Sequence, residues 1–80
     1  MKTIHDSRYK ELIARMIEKR DELRITQVAL ADQLGRPQSY VAKVENFERR
    51  IDLVEFRDWM RAMGVSPHEL LQQLQWWTDL

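Results

Sequence analysis

Thr26-Gln27-Val28-Ala29-Leu30-Ala31-Asp32-Gln33-Leu34-Gly35, followed across Arg36-Pro37 by Gln38-Ser39-Tyr40-Val41-Ala42-Lys43-Val44-Glu45-Asn46, decides how this chain reads. Thr26 is a good N-cap, because its hydroxyl can accept from the open N–H groups of a first helical turn. Gly35 then supplies the positive φ with which many helices end. Pro37 suits the first turn of the next helix, since its φ is already helical and its missing N–H is not needed there. Two short helices joined by a Gly-containing turn form a helix-turn-helix. The spacing adds to this. Ala31 sits where the helices cross and only a small side chain allows close approach. Val41 and Val44 point inward from the second helix, and Leu30 and Leu34 fill the other side.

Upstream, Tyr9, Leu12, Ile13, Met16 and Ile17 recur at i, i+3, i+4, i+7 and i+8. That is one apolar helical face, capped by Asp6 or Ser7 and running to about Leu23. Downstream, residues 47–51 read as a polar, basic loop. Asp52 caps a fourth helix that turns Val54 or Phe56, with Trp59, Met60 and Met63, inward and ends at Gly64. Ser66-Pro67-His68-Glu69 has the pattern of a capping box with Pro at the first helical position. A fifth helix follows, carrying Leu70, Leu71, Leu74 and Trp77. The expected fold is all-α, a compact bundle of about five helices. Residues 1–7 form an N-terminal tail, with 1–5 expected to be disordered, and 8–80 form one domain.

Composition narrows the function. Eighty residues leave no room for a second, catalytic domain. The absence of Cys excludes disulfides and thiolate metal sites. His5 and His68 stand alone, and no nucleophile lies beside a base, so neither metal, cofactor nor enzymatic activity is expected. No apolar run approaches membrane-spanning length and no signal segment opens the chain, so the expectation is a cytoplasmic protein with no membrane or small-molecule effector. Net charge is zero, but unevenly placed. Residues 1–50 hold eleven Lys+Arg against eight Asp+Glu, and residues 51–80 hold two against five. A basic N-terminal part suits a surface that faces an anion.

The two-helix stretch, with Leu34-Gly35-Arg36-Pro37-Gln38-Ser39-Tyr40-Val41, Glu48-Arg49-Arg50-Ile51-Asp52 and Ala62-Met63-Gly64-Val65-Ser66-Pro67-His68-Glu69-Leu70-Leu71, resembles the Cro/C1-type (XRE-family) helix-turn-helix regulators of bacteria and phages. The resemblance spans about residues 8–72. It implies a lambda-repressor-like domain and a transcriptional regulator, usually a repressor, that binds double-stranded DNA as a homodimer on a near-palindromic operator. It also implies that the third helix enters the major groove N-terminus first. Gln38 would then read adenine, Ser39 and Lys43 would reach bases or phosphates, and Tyr40 would either touch a thymine methyl or the backbone, or pack. Gln27 would bind a phosphate and brace Gln38, and Arg36, Asn46, Arg49 and Arg50 would reach the DNA backbone. Arg20 and Glu45 would pair to join the first and third helices. Three positions depart from the family pattern. Pro37 replaces a Ser/Thr cap, Val28 and Ala29 are apolar where polar residues are usual, and Phe47 replaces a Gly. A bulky residue disfavours positive φ, so a differently shaped loop is expected after the third helix.

The tail is unusually apolar. Leu70, Leu74, Trp76, Trp77 and Leu80 exceed what so small a domain can bury, which points to a dimer through residues 66–80. An aromatic lid on the chain's own core is one alternative. Another is a different protein partner, on a helix-turn-helix scaffold of the antitoxin kind.

Overall fold

A computed structural model describes residues 3–79. Six α-helices follow a 3₁₀ turn at Thr3–His5: α1 (Ser7–Glu22), α2 (Gln27–Leu34), α3 (Gln38–Glu45), α4 (Leu53–Met63), α5 (Pro67–Leu71) and α6 (Gln75–Thr78). No strand occurs among the described residues. Part of the expected disordered start is therefore ordered. Ile4, inside the 3₁₀ turn, packs against the core, and residues 1 and 2 lie outside the described residues.

Local chemistry sets the helix ends. Asp6 caps α1 and Thr26 caps α2, each by accepting a backbone N–H. Asp52 and Glu55 form a reciprocal capping box at α4. At the other ends, α1, α2, α3 and α4 all stop in the same way. A left-handed residue follows, directly after α2 and α4 and one residue further on, past Leu23 and Asn46, after α1 and α3, and the backbone N–H groups close back on the last carbonyls. Gly35 and Gly64 do this at no steric cost, with φ of 67° and 71°. Arg24 and Phe47 do it as non-glycine residues, with φ of 57° and 61°.

Phe47 overturns the expectation of a reshaped loop. Its N–H donates to the Val44 carbonyl at 3.1 Å and the Glu48 N–H to the Lys43 carbonyl at 2.8 Å, so the turn closes as it would around glycine. The left-handed strain is offset by packing. The ring is partly buried against the core, and the Lys10 ammonium lies 5.7 Å from its centre.

The core is one cluster drawn from α1 to α5. Ile13, Met16, Leu30, Val41, Val44, Trp59, Met60 and Leu70 are each 2% exposed or less. Burying each such side chain contributes about 1.5–3 kcal/mol. Ala31 is buried at the α2–α3 contact, where the small side chain lets the helices meet. On α4 the inward position is Phe56, while Val54 faces solvent.

The C-terminal segment departs from the expected single helix. α5 ends after Leu71, Leu74 adopts an extended backbone, and α6 restarts at Gln75. Leu74 is fully buried at this break, and its carbonyl accepts the Trp77 and Thr78 N–H groups. The capping box expected at Ser66 and Glu69 does not form, since the Ser66 side chain makes no cap hydrogen bond. Entry into this five-residue helix rests on Pro67 at its first position instead.

Candidate nucleic-acid interface

A chain of hydrogen bonds leads from the interior to the exposed N-terminus of α3. Arg20 donates to both oxygens of Glu45, from Nε at 2.7 Å and Nη2 at 2.8 Å, and its Nη1 donates to the Ile25 carbonyl at 2.8 Å. The two side chains are only 12% and 7% exposed. Gln27 Nε2 donates to Glu45 Oε1 at 2.8 Å, and Gln38 Nε2 donates to Gln27 Oε1 at 2.7 Å. The pair ties α1 to α3, and Gln27 of α2 connects both to Gln38.

Charge fixes the direction of this relay. A carboxylate only accepts, so Gln27 must turn its amide nitrogen toward Glu45 and its oxygen toward Gln38. Gln38 must then offer its own nitrogen inward. Its oxygen and one remaining N–H are left to face outward. That outward pattern, one acceptor beside one donor, matches adenine N6 and N7. Guanine presents two acceptors, O6 and N7, and does not match.

Gln38, Ser39, Lys43 and Asn46 are all exposed, with half-buried Ala42 between them. Ser39, Ala42, Lys43 and Asn46 recur at i, i+3, i+4 and i+7, so they share one face of α3. Ala42 escaped the sequence reading because a small residue carries no chemical signal. Lys43 makes no ion pair among the described residues. Asn46 is the C-cap of α3.

Tyr40 does not belong to this face. It is buried against Trp59, with ring centres 5.6 Å apart, which is the packing arrangement among the alternatives. Arg36 and Arg49 stack on its ring with guanidinium carbons 4.5 and 4.8 Å from the centre. Burial and the nearby Glu55 carboxylate push the phenol pKa up. Glu55, which the sequence reading did not single out, gathers these groups. Arg49 donates to both its oxygens, at 3.2 and 2.9 Å, and Arg36 stands 3.7 Å away. Arg50 is exposed and lies over the Tyr9 ring at 4.9 Å.

The expected interface residues divide. Leu70 and Leu74 are completely buried in the chain's own core and are not surface residues, because the break after α5 drops Leu74 inward. Trp76 is half-buried and Trp77 is 42% exposed, the two rings meeting edge to face at 6.2 Å. They border an open groove of about 360 Å³ with Tyr9, Leu12, Phe56 and Leu71. Leu53 at the start of α4 also lines it and is 79% exposed. Leu80 lies outside the described residues. No cluster of three potential metal ligands occurs among the described residues, and no helix is long and apolar enough to cross a membrane.

Residues 16–70 match the helix-turn-helix family model. The structure is similar to that of an XRE-family like protein from Pseudomonas syringae pv. tomato str. DC3000. The TM-score is 0.84 and the identity 50%, over 92% of this chain and 90% of that one. No match is found among curated proteins.

Proposed function

The chain belongs to the XRE-type helix-turn-helix family of DNA-binding transcription regulators, and from that premise we propose that it is a repressor that reads a near-palindromic operator as a homodimer. α3 enters the major groove with its N-terminus leading. Gln38 pairs with adenine, and Ser39 and Lys43 contact neighbouring base edges or phosphates. Gln27, Arg36, Asn46, Arg49 and Arg50 hold the DNA backbone on either side. The observation that best supports this reading is the directed relay from Arg20 to Gln38. It fixes an exposed amide in one orientation at the leading end of a helix, which a generic solvated glutamine does not need.

The Trp76 and Trp77 groove is the proposed contact between two copies. An apolar patch with aromatic walls suits an interface centre, and a two-fold pairing sets the two α3 helices about one DNA turn, roughly 34 Å, apart. A different protein docking on the same groove is the competing occupant.

Duplex binding measured over a series of salt concentrations tests the proposal. Affinity that falls linearly on a log–log plot, with two chains per duplex, is the expected result. Salt-insensitive or undetectable binding to duplex DNA would point to the protein-partner reading.

A further inference from the structure

Glu55 stands where a DNA phosphate would be useful. Arg36 lies in the turn before α3 and Arg49 in the loop after it, so the two cations flank Tyr40 beside the α3 end that carries Gln38 and Ser39. Both guanidiniums are stacked on the buried Tyr40 ring. The Arg36 and Arg49 side chains are 46% and 38% exposed, but that of Glu55 is only 17% exposed. The carboxylate is recessed beneath its cations, and the cations keep an open face to solvent.

We propose that Glu55 is an internal stand-in for DNA phosphate, which holds Arg36 and Arg49 in the free chain and yields them to the nucleic-acid backbone on binding. The inference rests on the DNA-binding reading above and adds how its affinity is set. Arg36 is already loose, at 3.7 Å, beyond hydrogen-bond range. Arg49 is held more firmly, and its guanidinium keeps the Glu55 carboxyl below the ordinary carboxylate range. Asp58 and Arg61 line the same concavity, and Asp52 faces Glu55 across the α4 cap. Every phosphate that approaches must compete with a resident carboxylate. Once the cations move outward, that carboxylate is left close to the DNA. The device lowers affinity for all sequences alike and leaves base discrimination to Gln38.

Glu55→Gln tests this, because glutamine also serves at the third position of a capping box and so preserves the α4 start. Asp58→Asn, which removes an equal charge from the same helix, is the control. Each protein is titrated with its best duplex and with bulk DNA across a salt series, after thermal melting has confirmed the fold. The expected result for Glu55→Gln is about threefold tighter binding to both DNAs, in the range of one exposed ion pair. Its log–log salt slope should be steeper by about one, as for one additional phosphate neutralised. Asp58→Asn should show neither change. Equal or weaker binding by Glu55→Gln would overturn the proposal and make Glu55 a brace for the two arginines. The same gain from Asp58→Asn would overturn it in favour of a bulk charge effect. No duplex binding by the unaltered protein would remove the DNA-binding reading itself, and the proposal with it.

Discussion

At the residue scale, the base-reading proposal depends on a buried charge two hydrogen bonds removed from Gln38. Glu45 orients Gln27, and Gln27 orients Gln38. Replacing Glu45 by Gln lets Arg20 take the new amide's oxygen, which leaves its nitrogen to face Gln27. The relay then runs in reverse and Gln38 shows two donors to the groove, the pattern suited to guanine. The expected outcome for Glu45→Gln is loss of adenine preference at the Gln38 position, read by competition among operators differing at that base pair. Stability should also fall by about 3 kcal/mol, because Arg20 loses its bidentate carboxylate partner in a mostly buried site and keeps only the more distant Asp21 at 3.6 Å; urea denaturation would measure it. Arg24 offers a prediction of opposite sign. It is exposed and holds φ of 57°, where a side chain costs about 1–2 kcal/mol. Gly returns part of that as chain entropy, so Arg24→Gly should raise stability by about 0.5–1 kcal/mol, seen as a higher urea midpoint. The Gln27–Gln38 brace and the Arg20–Glu45 pair were both legible in the sequence only through family resemblance. The fate of Tyr40 was not, because its burial depends on Trp59, Arg36 and Arg49 arriving from three other segments.

At the element scale, legibility followed punctuation. Thr26, Gly35, Asp52 and Gly64 mark ends that the fold respects, since capping is a contest among adjacent residues. The break between α5 and α6 carries no such mark. Gln72 and Gln73 are acceptable inside a helix, and it is the burial of Leu74 that bends the chain there. Ser66 shows the reverse, a capping pattern whose hydrogen bond does not form. The α4 cap gives a pH prediction. Arg49, then the Asp52 backbone N–H, hold the Glu55 carboxyl below its ordinary value of 4.5. A depressed carboxyl favours the folded state above that ordinary value, and the contribution is lost as pH falls through the lower folded value. Asp6, lowered by Arg8, acts with the same sign at the α1 cap. Melting temperature should therefore decline as pH drops below 4.5. Glu55→Gln should show a shallower decline than the unaltered chain, and an identical pH profile would remove Glu55 from the account.

At the scale of the whole molecule, zero net charge conceals a division of labour. The basic part contains α1 to α3 and the loop that follows, where the proposed phosphate contacts lie. The acidic part carries α4 to α6, whose Leu53, Phe56, Leu71, Trp76 and Trp77 wall the exposed aromatic groove together with Tyr9 and Leu12 of α1. Two copies joined through that groove would present two α3 ends to one face of a duplex. The most direct test is to select binding sites from a random duplex library with the unaltered protein and with Gln38→Ala in parallel. The account predicts that the unaltered protein enriches a near-palindrome with half-sites about one helical turn apart and an adenine in each half. Gln38→Ala should lose information at those two symmetric positions only, a difference of about 1–3 kcal/mol per base pair. The same motif from both proteins, or no enriched motif at all, would contradict it.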